Sequence, residues 1–472
     1  MRNVDGNFET QLRSELPEDV FRGLDTRYLE EPRGLFQGAD GLLLAPRNVG
    51  QVSSILAACH VARVPVVPYG GGTGLVGGQV MPSEACTRPV ILSLERMNAV
   101  REIYPDENVV VAEAGVIVAE LQAAAEGVNR LFPLSLASDG SCRIGGCLST
   151  NAGGVNVLRY GNARALCLGL EAVMPDGRIW HGLKRLRKDN TGYDMGNLLC
   201  GAEGTLGVIT AASLRLFARP KSMGTALLVV PDPAAALALL LLAQEQVGEG
   251  ISAFELISGT GFAFLDEAGL GGPQPFEDRP AWSVLIELGL GAGGSAEEVL
   301  TDLFAAALEA DFVVDGVIAQ SGAQRDALWK LREEIPLANR QIGAISSHDI
   351  SLPLSVIPAF LRQADAALAA MAMFRVNAFG HLGDGNLHYN VFPPKGHETQ
   401  DFAGQVAAIR EMIYDLVHQF GGSFSAEHGV GRLKPAELER YGDPVRLAAM
   451  RSIKSALDPN GIMNPGVMFR AP

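Results

Sequence analysis

The sequence predicts an α+β protein built around at least two hydrophobic cores, and three observations carry that expectation. At 472 residues the chain is too long for one compact core. Hydrophobic residues make up 47% and charged residues 19%, a balance that folds rather than staying disordered. The texture changes at Arg219-Pro220: glycine clusters dominate before it, and strands alternating with long helices follow it. We therefore expect three segments, 1–218, 219–420 and 421–472. The second should hold a sheet with helices on one face, and the third should be helical.

The elements follow in order. Val49, Val52, Ile55, Leu56 and Cys59 recur at helical spacing, and 64–67 then reads as a short buried strand. A strand over 109–113 passes through Gly115 into a helix from about Val118. Pro175-Asp176-Gly177 between apolar arms over 170–180 signals a hairpin. After residue 219, a strand over 226–230 meets Asp232-Pro233. Asp232 can cap the next helix, and Pro233 suits a first turn that has no use for its missing N–H. A strand over 282–288 is followed by Ser295 and Glu298, a capping-box pattern opening a helix to about 310, and 312–318 returns as a strand.

Charge and cysteine content narrow the class. Lys and Arg number 38 against 53 Asp and Glu, a net charge of −15, which argues against a nucleic-acid partner because phosphate binding needs clustered bases. Six cysteines are too sparse for a disulfide scaffold, and none forms a CxxC pair. The polar start has no apolar signal region, and the longest aliphatic run, 234–243, is about half the ~20 residues that span a bilayer. A soluble cytoplasmic protein without a transmembrane segment is expected.

Three glycine-rich loops stand out. The first, Gly70-Gly71-Gly72-Thr73-Gly74 with Gly77-Gly78, follows a strand directly, and its bare amides could form an anion-binding concavity suited to a pyrophosphate. It is neither a Walker A loop nor a Rossmann fingerprint, since no Gly-Lys-Ser/Thr closes it and its spacing differs. Taken alone, a tight turn between two strands would use the same residues. The other two loops run from Ser138 through Ser141, Gly145 and Gly146 to Gly153-Gly154, and from Gly201 through Gly204 to Gly207. Three loops of such small side chains suggest backbone approaching one large flat ligand from several sides.

A second constellation lies near the end. His381 and His388 flank a Gly-Asp-Gly-Asn turn, and Glu427 and His428 open another glycine-rich segment. A lone histidine on an apolar strand is usually a hydrogen-bonded core residue, but this turn can bring two imidazoles to one side of a hairpin. With Glu427 they would make a site suited to zinc, and also acceptable to manganese, iron or cobalt. Asp384 in the turn is the alternative carboxylate.

In combination these motifs resemble the FAD-binding domain shared by vanillyl-alcohol oxidase, alkyl-dihydroxyacetone-phosphate synthase and the D-2-hydroxyacid dehydrogenases: PYGGGTGLVGG, then IGGCLSTNAGG with Arg159-Tyr160-Gly161, then EGTLGVIT. The resemblance runs from about residue 40 to the end. It implies a two-part FAD-binding domain, a substrate domain whose antiparallel sheet is covered by helices, and a helical C-terminal segment. FAD would be held by Pro68, Tyr69, Gly70, Gly71, Gly72, Thr73, Gly74, Gly77 and Gly78 around the pyrophosphate. Ser138, Ser141, Gly145, Gly146, Asn151, Gly153 and Gly154 would line the isoalloxazine and ribityl side. Glu203, Gly204, Gly207, Val208, Ile209 and Asn464 would complete the cofactor contacts. No histidine lies in the first loop, so the flavin is expected to be non-covalent.

GHLGDGNLH and SAEHGVG resemble the metal-bearing segments of the D-2-hydroxyacid dehydrogenases. The resemblance makes His381, His388 and Glu427 ligands of a divalent metal, with zinc foremost, His428 the general base and Asn390 a substrate contact. Arg332 matches an arginine that contacts the substrate carboxylate, although a helix arginine paired with a neighbouring glutamate would look the same. The implied reaction oxidises a D-2-hydroxy acid to the 2-oxo acid by hydride transfer to flavin N5. The best substrate would be D-2-hydroxyglutarate, then D-lactate. The electron acceptor would be an electron-transfer flavoprotein or a quinone-like molecule, and a homodimer is compatible with this reading. Two departures bear on the substrate: Ser347 stands where such relatives carry lysine, and Pro336 replaces a pocket threonine. A non-redox flavin transferase and an electron-relaying subunit of a glycolate-oxidase-like complex are the alternatives.

Overall fold

The computed structural model describes residues 2–470. It divides into two compact units, one formed by Met1–Gly153, Gly161–Ala218 and His428–Pro472, the other by Gly154–Tyr160 and Arg219–Glu427.

In the first unit, β1 (Leu42–Leu44), β2 (Val66–Tyr69) and β3 (Val90–Ser93) make a parallel sheet in the order β1-β3-β2. The expected helix runs Val49–Ala62; Asn48 caps it by accepting from the Gln51 amide, and its Val52, Ile55, Leu56 and Cys59 are buried. β4 (Val100–Tyr104) and β5 (Val109–Glu113) lead past the short β6 (Arg130–Leu131) into β7 (Cys167–Val173), β8 (Ile179–Gly182) and β9 (Val208–Arg215). These five longer strands form an antiparallel sheet in the order β4-β5-β9-β7-β8, while β10 (Phe217–Ala218) pairs with β6. The hairpin at Pro175-Asp176-Gly177 joins β7 to β8, with Gly177 at φ +88° where a side chain would be strained. Residues 428–470 return to this unit: Met463 bridges Val66, and Ile462 and Met463 lie in its core.

The second unit holds seven strands: β11 (Ser222–Val230), β12 (Ile251–Ser258), β13 (Trp282–Leu290), β14 (Asp315–Ile318), β15 (Ser346–Ser351), β16 (Arg375–His381) and β17 (Asn386–Phe392). They form one antiparallel sheet in the order β14-β11-β13-β12-β16-β17-β15. Asp232 caps Pro233–Val247 by accepting from the Ala234 and Ala235 amides, as the Asp-Pro pair predicts. Ser295 accepts from the Glu298 amide at the start of Ala296–Glu309. β14 is shorter than expected, because Phe312 and Val313 instead donate their amides to Ala307 at that helix's end.

Helices cover both faces of this sheet rather than one. Leu227, Ala253, Ile257, Leu285 and Phe379 share a core with Leu328, Leu331 and Ile335 of Gly322–Ile342. On the opposite face, a side chain at Gly224 would meet Ala296 and Leu300. The physical reason is in β11 itself: Leu227 and its alternating neighbours Ala226 and Leu228 are all apolar and buried, so both faces need cover.

Residues 354–371 reach the length and mean hydropathy of a bilayer span. Within them, however, Ile357, Phe360, Leu361, Ala364 and Leu368 of Ile357–Met371 are buried inside the protein. The expected helical ending is partly irregular. Val406–Gln419, Pro435–Tyr441 and Pro444–Leu457 are helices, but 421–434 and the last residues described are turns and extended chain.

Candidate active site

The first unit brings the three glycine loops together. A side chain on Gly70 would stand 3.4 Å from the Gly146 Cα, and one on Gly71 would stand 2.9 Å from the Cys142 Cα and overlap the Ser141 carbonyl oxygen. Gly204, at φ +70°, approaches Pro68 so closely that an added carbon would lie 3.0 Å from its ring. Gly145 lies directly against Ala114. Ser138 and Ser141 form the turn before the short helix Ile144–Thr150, and Asn151 ends that helix at φ +53° while accepting from the Arg164 amide. Gly207 abuts Val173, and Val208 and Ile209 open β9.

The amides decide whether this cradle suits FAD. Among the described residues, no backbone N–H from Gly70 to Gly78 donates to a protein group. Three carbonyls of the same loop are held by side chains: Gln79 Nε2 donates to Gly72 and Gly74, and Asn464 Nδ2 donates to Gly78 while also reaching the Glu203 carbonyl. A loop with several acceptors held and its donors left open fits an anionic diphosphate. Pro68 and Tyr69 end β2 just before it, with the Tyr69 hydroxyl donating to the Arg27 carbonyl and its pKa pushed up to about 12 by burial. Glu203, at φ +51°, is buried and accepts from the Val430 and Gly431 amides at 2.8 and 2.7 Å. It thereby fixes the turn that follows His428.

The second unit gathers the other constellation by strand register. Glu255 of β12 lies opposite His381 of β16, Phe379 lies opposite His388 of β17, and His388 lies opposite Asp349 of β15. Alternate residues share a face, so Glu255, Phe379, His381, His388, Asn390, Ser347 and Asp349 all stand on one face of four adjacent strands. Leu382-Gly383-Asp384 make a turn of 3-10 helix, Gly385 at φ +84° closes it, and the two imidazole centroids come within 5.7 Å. His348 shows the contrast. It is buried and its ring nitrogens are taken by the Tyr389 carbonyl and the Ser346 hydroxyl, so it is a core histidine.

Glu427 faces both functional histidines, with Oε2 4.0 Å from His381 Nε2 and Oε1 3.7 Å from His388 Nε2. Its backbone N–H donates to Asp349 Oδ2, and the Gly154 N–H donates to its Oε2. Asp349, His388 and Glu427 each offer a ligand atom within 4.8 Å of the others, a group that does not include His381. Asp384 instead accepts from the Asn386 amide within its own turn. His428 is the next residue after Glu427 and opens the segment that returns to the first unit.

Two residues that the sequence reading did not single out complete the arrangement. Glu255 is fully buried; its Oε1 accepts from His381 Nδ1 at 2.6 Å and its Oε2 from Arg332 Nε at 2.9 Å. Asp349 holds both Glu427 and the Asn386 side chain. Arg332 is buried, stacks 4.8 Å from the centre of the Phe379 ring and keeps its Nη atoms free of protein acceptors among the described residues. The Asn390 amide likewise makes no hydrogen bond to the protein among these residues, although it is 7% exposed.

Electrostatics follow from this crowding. Burial would raise the Glu255 carboxyl, but the charges and hydrogen bonds of His381 and Arg332 outweigh it and bring it down to about 2. Burial opposes protonation of His381, yet Glu255 and then Glu427 raise it to about 9. Burial, helped by Asp349 and Asp384, pushes Glu427 up to about 7 against His381 and Arg332. Glu255, Asp349, Asp384 and Glu427 crowd around His381 and Arg332, so a divalent ion on neutral imidazoles would offset part of their charge. The 3.7 and 4.0 Å separations are a few tenths above the roughly 3.3 Å between neighbouring ligands of a tetrahedral zinc. Imidazole and carboxylate are the donor types such an ion takes.

Comparison with known proteins matches both parts of the chain to domain families. Residues 41–182 match the FAD binding domain family, and residues 219–468 match the C-terminal domain of FAD linked oxidases. The chain is 36% identical over 438 residues to the D-2-hydroxyglutarate dehydrogenase of Stutzerimonas stutzeri (strain A1501), covering 92% of each. It is also 36% identical to the mitochondrial D-2-hydroxyglutarate dehydrogenase of Arabidopsis thaliana, covering 91% of this chain and 75% of that one. A solved structure of p-cresol methylhydroxylase shares the fold, with a TM-score of 0.77 and 16% identity over 99% of this chain and 98% of that one. The chain belongs to the FAD-linked oxidases, in the family that includes the D-2-hydroxyglutarate dehydrogenases.

Proposed function

We propose that the protein oxidises D-2-hydroxy acids to 2-oxo acids with FAD and a divalent metal, with D-2-hydroxyglutarate its best substrate and D-lactate next. The observation that carries this reading is one sheet face: His381 and His388 on it, with Glu427 facing both, beside the open Nη edge of Arg332 and the open side-chain amide of Asn390. Non-covalent FAD, bound along the glycine loops, supplies the two-electron acceptor. A divalent ion, zinc in our reading, held by His381, His388 and Glu427 supplies Lewis acidity toward the substrate hydroxyl.

The chain's own residues do the rest. Asp349 keeps Glu427 in place through the Glu427 amide. His428 takes the hydroxyl proton on an imidazole nitrogen, a contribution typically of about 10²–10⁴-fold. Arg332 pairs the distal carboxylate, whose burial would be costly without a cation, and Asn390 donates its amide to the acid near the reacting carbon. Ser347, opposite Asn390 on β15, adds no charge, so the preference for a dicarboxylate rests on Arg332 alone. We assign the protein to the cytoplasm, take the helix within 354–371 as a core helix, and expect electrons to leave to an electron-transfer flavoprotein or a quinone-like molecule.

The decisive experiment is anaerobic. Purified flavoprotein is mixed with a panel of D- and L-2-hydroxy acids while absorbance near 450 nm is followed. D-2-hydroxyglutarate should bleach the flavin fastest and the L-acids should leave it yellow. No bleaching by any D-acid would refute the proposal. Acid precipitation should release the FAD into the supernatant, whereas flavin retained in the pellet would mean a covalent link.

A further inference from the structure

We propose that Glu255 is a positioning residue that couples the metal-binding histidine to the arginine on the substrate side, an inference that rests on the metal reading above. Glu255 is 0% exposed and lies in a strand, Ile-Ser-Ala-Phe-Glu-Leu-Ile-Ser, that is otherwise apolar or small. A lone carboxylate in such a strand is costly unless both oxygens are matched. Here each oxygen has a different functional partner: His381 Nδ1 on Oε1 at 2.6 Å and Arg332 Nε on Oε2 at 2.9 Å.

The consequence for His381 is chemical. An ionised carboxylate only accepts hydrogen bonds, so Nδ1 must carry the proton, and the neutral ring then keeps its lone pair on Nε2. That is the nitrogen facing Glu427. The consequence for Arg332 is geometric. Glu255 takes its Nε edge and Phe379 lies against its plane, which leaves the Nη edge as the face offered to an acid. One side chain therefore sets which atom of His381 binds the ion and which edge of Arg332 meets the substrate.

Glu255→Gln separates this from a structural role. Glutamine has the same shape but offers one acceptor and one donor, so it cannot accept from both partners. In the full-length, FAD-loaded protein, zinc affinity measured by competition with a chromophoric chelator should fall about 10–100-fold. The ratio of D-2-hydroxyglutarate to D-lactate binding should fall with it, while flavin content stays at the wild-type level. Wild-type zinc affinity in a folded Glu255→Gln protein would overturn the inference, leaving the metal proposal standing. Failure of the wild-type protein itself to take up zinc would overturn the metal proposal and the inference with it. Because the variant could fail to fold, a second measurement uses the wild type: ¹¹³Cd-loaded protein with ¹⁵N-histidine. Cadmium coupling to Nε2 of His381 supports the inference, and coupling to Nδ1 overturns it.

Discussion

Replacing Gly71 with alanine should cost the protein about 10–100-fold in FAD affinity. The added carbon would stand 2.9 Å from the Cys142 Cα and 3.1 Å from the Ser141 carbonyl carbon, and would overlap that carbonyl's oxygen. These are backbone atoms that cannot swing aside as the end of a side chain would. Carbon–carbon contacts close at about 3.5 Å, so the two loops must separate by roughly 0.6 Å. A shift of that size stretches an amide–phosphate hydrogen bond from about 2.9 Å to about 3.5 Å, past useful range. Hydrogen bonds to charged groups are worth about 1.5–3 kcal/mol each, and 1.4 kcal/mol is tenfold in affinity. The assay is titration of deflavinated protein with FAD, followed by quenching of flavin fluorescence. Gly140→Ala is the control, since a carbon there meets nothing within 4 Å, and it should bind FAD as the wild type does. Affinity within twofold of wild type for Gly71→Ala would refute the cradle as described.

His388→Ala should lose bound zinc and turnover together, and a strong chelator should abolish turnover of the wild type; an active preparation with no stoichiometric metal by elemental analysis would contradict this. His428→Asn should lower kcat at least 100-fold with little change in substrate affinity, as expected of a group that acts mainly in the transition state; an unchanged kcat would remove His428 from the base role. Ser347→Lys places a cation opposite Asn390 on the site face and should raise kcat/KM for D-2-hydroxyglutarate over D-lactate by about 5–30-fold, the equivalent of ~1–2 kcal/mol. An unchanged ratio would mean that Ser347 lies outside the pocket.

The parts of the site that could be read from the sequence are those written in local patterns. Three glycine loops, a histidine pair across a four-residue turn and an Asp-Pro helix start each show themselves within a short stretch of chain. Glu255 could not be found in this way, because its partner His381 lies 126 positions away and they meet only through the strand order β12-β16. The signal was present but ambiguous: a single glutamate within an apolar strand marks a buried partner without naming it. Asp349 was hidden for the same reason, since β15 reaches His388 and Glu427 only as the outer neighbour of β17. The second layer of helices was missed because an almost uniformly apolar strand such as β11 carries no period-two pattern to show that both faces are buried.

The return of residues 428–470 to the first unit sets an order of events during synthesis. The lysine at 454 donates to the Thr205 and Met463 carbonyls, Asn464 holds the Gly78 and Glu203 carbonyls, and the Val66 amide donates to Ile462. These partners are made late, after all of 219–427 has left the ribosome. The nascent first unit must wait, its glycine loops without their final supports, until the rest of the chain has been translated. A product truncated before residue 460 would thus lack FAD even with every loop glycine in place, so yellow colour reports translation through the end of this segment as well as correct folding.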